Sequence, residues 1–473
     1  MASKRTWANY PATYHAREVA IIAEWIATGE SGAIVGPSGT GKSNLLGFLS
    51  QRPDSLAAHL GEKHSGLAVT LVDLNNLPGD DLATFYRVIL RALYESRAKL
   101  AGVHPSLAGT IETLYHTIKK ENDPFVSQSA LREALLMFQS NDIRLALILD
   151  PFDRFAQTAS PKILDNLRGL RDSFKGTLSY LVSVRHELAY LRDPTELGEL
   201  YALLDTHVCW VGGMTPADAR WVIDNIIQIR GHAFDEETIE RLIELTGGYA
   251  ALLKAAGLWL TRAAVPTDPA EWLEALLAET SVQNRLQTLW QSFTGEEQLL
   301  LTELQTLLNQ HPPDSAAYQA FCPQHRPGLL RLQAKRVCLS ENGAWRISSP
   351  LLAAYIAHLG LIDTGKIYHQ ETNDVILQGR RSLEQALTPQ DRKLLLFFLK
   401  HPQKVLRKDE IALALWPEAE VLDRDRGIDD ARLQKAVSQL RQVVEKGVET
   451  PTYIKTIHGV GYRFFPEGAP YER

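Results

Sequence analysis

Short apolar runs alternate with amphipathic stretches through the first two hundred residues. Runs of about four to eight apolar residues bounded by turn residues predict buried strands, and the stretches between them have helical spacing. Strands separated by helices in this rhythm indicate a parallel sheet with helices on both faces. The predicted strands are residues 33–35, 67–74, 145–149, 178–185 and 208–211.

The loop after the first predicted strand has the G-x-x-x-x-G-K-[ST] spacing. Its glycines let backbone N–H groups turn toward phosphates, Lys42 can reach the β- and γ-phosphates, and the Ser43 hydroxyl can bind Mg²⁺. The helix that follows adds a favourable dipole for an anion. A chance match in a glycine-containing turn is the alternative, which the flanking strand and helix disfavour. The predicted ATP/ADP-binding residues are Gly36, Pro37, Ser38, Gly39, Thr40, Gly41, Lys42, Ser43 and Asn44.

The apolar run at 145–149 ends in Asp150, whose carboxylate we expect near the Mg²⁺ shell, as in nucleoside triphosphatases. A core strand capped by an arbitrary acidic residue is the alternative. Many such ATPases carry a second acidic residue directly afterwards, where it orients the attacking water. Pro151 stands there in this chain, and Asp153 is the next carboxylate. We therefore predict slow hydrolysis, with the nucleotide acting as a switch.

Three arginines are candidates for contact with the terminal phosphate. Arg185 ends the strand at 178–185, where a basic residue can sense that phosphate. Arg168 and Arg171 lie one helical turn apart, and either is a candidate arginine finger toward a neighbouring subunit. Solvated positions on a helix face are the alternative for this pair. Together, Lys42, Asp150, Asp153 and Arg185 form the predicted catalytic set, with Ser43 and Asp150 as the metal ligands.

With these motifs in place, residues 15–280 resemble the signal-transducing (STAND) and origin-recognition-like branch of the AAA+ P-loop ATPases. The resemblance rests on the loop at 36–43, on Leu-Ile-Leu-Asp-Pro-Phe-Asp-Arg-Phe, on Ser-Val-Arg and on Thr-Gly-Gly. It implies a helical lid after the sheet and assembly into oligomers in the ATP-bound state. Pro151 departs from the pattern, as do Tyr249 and Ala250, which replace the proline often found after the paired glycines.

Residues 281–362 contain amphipathic helices followed by a hairpin with an Asn-Gly turn at 342–343. This order resembles a winged helix, which STAND ATPases place after the lid as a packing element. A second DNA-reading domain is the alternative. The domain boundaries predicted from these patterns are 1–211 for the ATPase core, 212–280 for the lid, 281–362 for the winged-helix-like domain and 366–466 for a C-terminal domain.

The last hundred residues predict three helices and a hairpin. The third helix, from about 429 to 445, buries a stripe at Leu433, Ala436, Val437 and Leu440. Its polar side chains are suited to phosphates and base edges, and the hairpin at 453–464 adds more. The predicted DNA-binding residues are Arg432, Gln434, Lys435, Ser438, Arg441, Lys455, Thr456 and His458.

Residues 366–466 closely resemble the OmpR/PhoB-type winged-helix DNA-binding domain. The Leu-Thr-Pro-Gln helix start, the Leu440-Arg441 pair and the Gly-Val-Gly-Tyr-Arg-Phe ending carry the resemblance. It implies a third helix in the major groove of double-stranded DNA and a wing on the backbone. His458 stands where many members have arginine, which predicts weaker or pH-dependent wing contacts. A winged helix used for protein contact alone is the alternative.

The charge distribution agrees with this division. Residues 380–473 carry 17 Lys and Arg against 14 Asp and Glu, a net charge of +3, whereas the whole chain carries −6, so the other residues carry −9. An acidic body with a mildly basic end is compatible with DNA contact through that end. The cysteines at 209, 322 and 338 form no C-x-x-C pair, and no signal peptide or membrane span is predicted. We therefore expect a cytoplasmic protein that does not contact a membrane.

The fold class predicted is a multidomain chain: an α/β P-loop NTPase with a helical lid, a winged helix and a C-terminal winged helix-turn-helix. The leading hypothesis is a nucleotide-switched transcriptional regulator that binds double-stranded DNA, assembles with itself when ATP-bound and hydrolyses ATP slowly. Its input is the nucleotide itself or an unidentified signal protein. Two hypotheses remain beside it, a DNA-dependent ATPase in defence or mobile-element control, and a signalling scaffold that does not bind DNA.

Overall fold

A computed structural model defines the fold. The residues that it describes are 7–52, 54–61, 66–79, 81–263, 265–266, 268–341, 343–359, 366–370, 374–379, 381–384, 386–416, 430–445, 451–457 and 459–467. The chain divides into two compact units. They comprise Met1–Gln298 with Pro313–Tyr355, and Leu299–Pro312 with Ile356–Arg473. The finer boundaries at 212, 281 and 366 stay predictions.

A five-stranded parallel sheet forms the centre of the first unit, as predicted. The strands are β1 (Gly32–Val35), β2 (Leu67–Asp73), β3 (Arg144–Asp150), β4 (Leu178–Val184) and β5 (Val208–Trp210). Every neighbouring pair in the sheet runs parallel, and the order across it is β2-β3-β4-β1-β5. Helices cover both faces, so nearly every position of β1, β3 and β4 is buried, which is why these strands are apolar runs in the sequence.

The helices around this sheet begin at residues that satisfy free backbone amides. Asp81 accepts from the Thr84 amide, and Asp123 accepts from the amides of Phe125 and Val126. The sequence predicts one helix over 81–100, but the structure divides it at Arg97, and it adds two helices over 105–140. These helices are α1 (Ala16–Thr28), α2 (Lys42–Gln51), α3 (Asp54–Leu60), α4 (Leu82–Ser96), α5 (Ala98–Ala101), α6 (Pro105–Ile118), α7 (Pro124–Ser140), α8 (Asp153–Thr158), α9 (Pro161–Ser173), α10 (Leu188–Leu191), α11 (Pro194–Leu197) and α12 (Glu199–Asp205).

Between the parallel sheet and the C-terminal domain, the described residues are mainly helical, with a short hairpin before the last helix. Gly231 and Gly247 end two of the helices in the left-handed conformation, where glycine has no Cβ to clash. The elements are α13 (Pro216–Arg230), α14 (Glu236–Thr246), α15 (Ala250–Leu260), α16 (Pro269–Ala278), α17 (Thr280–Trp290), α18 (Gly295–Gln310), α19 (Ala316–Gln324), α20 (Arg326–Ala334), β6 (Cys338–Glu341), β7 (Ala344–Ile347) and α21 (Pro350–Leu359).

The C-terminal part of the second unit is a winged helix-turn-helix, as predicted. Its elements are β8 (Ile367–Gln370), β9 (Val375–Gln378), β10 (Arg381–Ser382), α22 (Pro389–Lys400), β11 (Val405–Arg407), α23 (Lys408–Leu415), α24 (Asp430–Val444), β12 (Ile454–Ile457) and β13 (Gly461–Phe464). The first three strands form an antiparallel sheet before the helices. A second antiparallel sheet, in the order β11-β13-β12, contains the wing.

One hydrophobic core holds this domain together. The predicted stripe of α24 is buried in it, from Leu433 to Leu440, beside Phe398 of α22 and Phe464 of β13. A Cβ at Gly461 would lie 2.0 Å from the Leu406 carbonyl oxygen, so only glycine lets β13 approach β11 this closely. The glycine-rich ending that identified the wing in the sequence therefore has a packing reason.

Candidate functional site

The phosphate loop lies between β1 and α2 at the carboxyl edge of the sheet. The Gly36 amide donates to the Val184 carbonyl at 3.2 Å, which attaches the start of the loop to the end of β4. A Cβ at Gly36 would lie 2.0 Å from the Val211 carbonyl oxygen, and Gly41 has φ +102°, so both positions require glycine. The loop therefore has the local backbone that the motif predicts.

Lys42 reaches back over this loop. Its Nζ donates to the carbonyl oxygens of Gly36 at 2.5 Å and Pro37 at 3.1 Å. Burial lowers the pKa of Lys42 from 10.5 to about 8, against the opposing charges of Asp153 and Asp150. The ammonium that would face the terminal phosphates thus lies near both predicted carboxylates.

β4 lies between the strand that leads to the phosphate loop and the strand that ends in Asp150. These are β1 and β3, so Arg185 follows β4 between the phosphate loop and Asp150. The Arg185 amide donates to Asp153 Oδ1 at 2.8 Å, and Asp150 is 9% exposed. Because parallel strands end at one edge, the structure brings Lys42, Asp150, Asp153 and Arg185 together. Their catalytic roles stay predictions.

Mg²⁺ and a nucleotide fit the residue types at this edge. Mg²⁺ prefers hard oxygen ligands, and it usually takes one or two protein groups together with phosphate oxygens and water. The Ser43 hydroxyl at the start of α2 and the Asp150 carboxylate supply such groups. No cluster of three or more His, Cys, Asp and Glu suited to a metal occurs within the described ranges, so a cation here would depend on the phosphates.

The residues before α1 also border the loop. The Tyr14 hydroxyl and His15 Nε2 each lie 4.0 Å from where a Cβ on Gly41 would stand. His15 is 2% exposed, its Nδ1 pairs with Glu18 at 3.1 Å, and its Nε2 has no hydrogen-bond partner among the described residues. The buried Nε2 of His15 is therefore a polar atom next to Gly41 of the phosphate loop.

Helix α15, in the segment predicted to be a lid, contacts the loop through small residues and backbone. The Ala251 amide donates to the Gly39 carbonyl at 3.0 Å, and the Ala250 Cβ lies 3.4 Å from a Cβ position on Gly41. Tyr249, one of the departures noted in the sequence, is buried away from solvent. The first turn of α15 therefore meets the phosphate loop without a charged side chain.

The two candidate arginine fingers contact residues outside the phosphate loop. Arg171 is 6% exposed, and its Nη2 donates to the Gly29 carbonyl at 3.3 Å and lies 3.5 Å from Glu30. Arg168 pairs with Asp172 at 2.7 Å. Gly29 and Glu30 precede β1, so Arg171 lies at the amino edge of the sheet, opposite the phosphate loop. A buried guanidinium held in this way is not free to enter another subunit.

Three basic residues in the second half of α20 and the turn after it make contacts within the first unit, whereas Arg326 at the start of α20 is exposed. Arg331 donates to the Tyr190 hydroxyl, Lys335 contacts Glu187 and Glu297, and Arg336 donates to Glu18 at 2.6 Å. A DNA-reading helix would present its cations to solvent. This arrangement favours the packing interpretation of the winged-helix-like segment over a second DNA reader.

The predicted DNA face of α24 is largely exposed. Arg432, Gln434, Lys435 and Ser438 are exposed, whereas Leu433, Ala436 and Val437 face the core. The Arg432 guanidinium lies 4.2 Å from the Trp416 ring centroid, which limits its motion. The exposed side chains can reach the phosphates and base edges of a major groove.

Arg441 differs from its neighbours on α24. Its guanidinium is half-buried and donates to the Ile454 carbonyl at 2.6 and 3.2 Å and to the Thr456 hydroxyl at 2.9 Å. These bonds join α24 to β12, so Arg441 and Thr456 stabilise the wing whether or not they also contact DNA. Lys455 is half-buried, and His458 lies outside the described residues.

A comparison with known protein families identifies this domain. Residues 383–464 match the family described as "Transcriptional regulatory protein, C terminal". The C-terminal domain is an OmpR/PhoB-type DNA-binding domain. The predicted resemblance is thereby confirmed, and the OmpR/PhoB-type match spans α22 to β13.

Two curated relatives give the extent of the likeness. The chain is 35% identical over 77 residues to the alkaline phosphatase synthesis transcriptional regulatory protein PhoP of Bacillus subtilis, 16% of this chain and 30% of PhoP. It is 33% identical over 81 residues to the Bacillus subtilis transcriptional regulatory protein YvrH, 17% of this chain and 32% of YvrH. The chain thus spans about a third of the length of these relatives.

Among solved structures, the Walker-type ATPase of Pyrococcus abyssi has a TM-score of 0.43 at 14% identity, covering 74% of this chain and 99% of that one. The Aeropyrum pernix ORC2 protein has a TM-score of 0.42 at 12% identity, covering 76% of this chain and 96% of that one. The P-loop ATPase fold follows from the strand order and the loop described above. Among the described residues, no helix has the length and apolar character needed to cross a membrane.

Proposed function

We propose that this protein is a nucleotide-switched transcriptional regulator that binds ATP and double-stranded DNA. One observation carries the proposal: a phosphate loop, with Lys42, Asp150 and Arg185 at its sheet edge, occurs in one chain with an OmpR/PhoB-type domain. A nucleotide site in the same chain as a DNA-binding domain is suited to control by nucleotide state.

Each residue has a chemical role in this proposal. The amides of the phosphate loop and Lys42 bind the phosphates, and Ser43 with Asp150 would hold Mg²⁺, which neutralises phosphate charge. Arg185 is placed to detect the terminal phosphate, because it follows the strand between the loop and Asp150. These contacts bind and position ATP without requiring fast turnover.

The arrangement around Pro151 supports slow hydrolysis. Pro151 brings no carboxylate, and Asp153 already accepts the Arg185 amide at 2.8 Å. A general base must lie within hydrogen-bond reach of the attacking water and have a free oxygen directed at it. We assign Asp153 chiefly to anchoring the end of β4, with water activation as its weaker role. ATP then persists long enough to act as a switch.

Assembly links the nucleotide to DNA binding. When modules are held in one oligomer, the second contact with DNA forms at a high effective concentration, so modest single-site affinities combine into strong binding. ATP-dependent self-association would therefore raise DNA affinity without any change in the contacts of α24. An unidentified signal protein could act on the same equilibrium.

Electrophoretic mobility with ADP, ATP and a non-hydrolysable ATP analogue tests the proposal on the full chain. We expect tight, salt-sensitive DNA binding with the analogue, weaker binding with ADP, and loss of the difference in Lys42→Ala. Light scattering on the same samples should show a larger particle with the analogue. The absence of a shift in every state would refute the regulator and favour a scaffold, whereas ATPase stimulation by arbitrary DNA would favour a DNA-dependent ATPase.

A further inference from the structure

One amide of the phosphate loop is already bound by a residue far along the chain. The Ser38 amide donates to Ser292 Oγ at 3.0 Å, and that hydroxyl in turn donates to the Leu289 carbonyl at 2.6 Å. Ser292 follows α17 and is 4% exposed. A buried hydroxyl with both roles satisfied is well ordered, so this contact is a defined part of the loop environment.

The Ser38 amide directly follows the part of the loop that Lys42 covers. Lys42 Nζ, the group that reaches the β- and γ-phosphates, contacts the carbonyls of Gly36 and Pro37, immediately before Ser38. The start of the loop also adjoins the end of β4, which leads to Arg185. Ser292 therefore occupies a backbone donor near the place that a third phosphate would approach.

The segment that carries Ser292 is anchored by a buried ionic cluster. The Thr294 amide and the Glu297 carboxylate form a helix cap at 3.0 Å, and Glu297 Oε1 accepts from Lys335 at 2.5 Å. Lys335 is 1% exposed and also donates to Glu187 at 3.0 Å. Since Glu187 lies two residues after Arg185, the cluster joins the Ser292 segment to the strand end beside the phosphates.

We propose that Ser292 is a specificity-determining residue of the nucleotide site, which disfavours triphosphate by competing with the terminal phosphate for the Ser38 amide. This inference rests on the proposed nucleotide binding. A diphosphate leaves the Ser38–Ser292 bond intact, whereas a triphosphate must replace it. The Lys335 cluster holds Ser292 in the competing position and opposes its withdrawal.

The test measures the affinity of the full chain for ADP and for a non-hydrolysable ATP analogue by calorimetry. In Ser292→Ala the analogue no longer has to displace a hydroxyl, so its affinity should rise roughly three- to tenfold while the ADP affinity stays the same. Ser292→Thr keeps a hydroxyl and should restore the ratio of the unmodified chain.

Ser349→Ala is the matched control. The Ser349 hydroxyl is also buried, donates to the Leu245 carbonyl at 2.9 Å and accepts the Leu352 amide at 3.2 Å, outside the phosphate loop. An unchanged affinity ratio in Ser292→Ala, or an equal change in Ser349→Ala, overturns the inference alone. Failure of the unmodified chain to bind either nucleotide overturns the proposed function and the inference with it.

Discussion

The depressed pKa of Lys42 predicts that nucleotide binding takes up a proton in mildly alkaline solution. Burial lowers this pKa from 10.5 to about 8 in the protein without nucleotide. Phosphates beside Nζ favour the charged form, so binding should raise the pKa again. The perturbation is therefore a change of pH from 7 to 9, and the observable is the number of protons bound together with ADP.

The magnitude follows from the titration. With a pKa near 8, Lys42 is about 0.9 protonated at pH 7 and about 0.1 protonated at pH 9. The affinity for ADP should therefore fall about tenfold between these pH values, and about 0.9 proton should be taken up per ADP bound at pH 9. The stability of the unliganded protein changes in the opposite direction. Between pH 8 and 10.5 Lys42 binds more protons in the unfolded state than in the folded state, so its contribution to the free energy of unfolding increases as pH rises.

Calorimetry in two buffers with different ionisation enthalpies measures the proton uptake directly. Lys42→Arg is the control, because a guanidinium stays charged throughout this range and should remove both the uptake and the affinity loss. If the unmodified protein takes up no proton at pH 9, or if Lys42→Arg keeps the same uptake, the reasoning from burial is refuted.

Three further predictions test other parts of the structure. Lys335→Met should lower the free energy of unfolding by about 3–5 kcal/mol in chemical denaturation, because the buried Glu297 and the half-buried Glu187 lose their partner, whereas the exposed Lys254→Met should change it little. Arg432→Ala should weaken DNA binding and reduce the slope of log affinity against log salt concentration by about 1, without altering thermal stability. Arg441→Ala should lower both thermal stability and DNA affinity. Equal thermal stability of the two variants would contradict the assignment of Arg441 to the wing. Asp150→Asn should weaken the dependence of ATP binding on Mg²⁺, and titrations that keep the same Mg²⁺ dependence would remove Asp150 from the metal site.

The parallel sheet was predictable because its evidence is local. An apolar run that is buried on both faces can be recognised without knowing its neighbours, as at β3 and β4. The glycine spacing of the phosphate loop and the periodic stripe of α24 are equally local. The C-terminal family match confirms the resemblance drawn from such patterns.

Other features needed the fold. Arg168 and Arg171 have the spacing of exposed helix residues, yet Arg171 is buried at the amino edge of the sheet. Arg441 is of a residue type that commonly contacts DNA, but its guanidinium joins the third helix of the domain to β12. In both cases the sequence identifies the residue type and the helix face, while the neighbouring element decides what the guanidinium binds.

Strands, helix starts and the phosphate loop with its chemistry can be recognised in the sequence, because the physical cause of each lies within a few residues. Which distant residues surround that loop follows only from the folded chain. Ser38 and Ser292 are 254 positions apart, and His15 and Lys335 come from opposite ends of the first unit. Their places depend on strand order and helix packing, because a hydrogen bond between distant segments leaves no periodic pattern in either one.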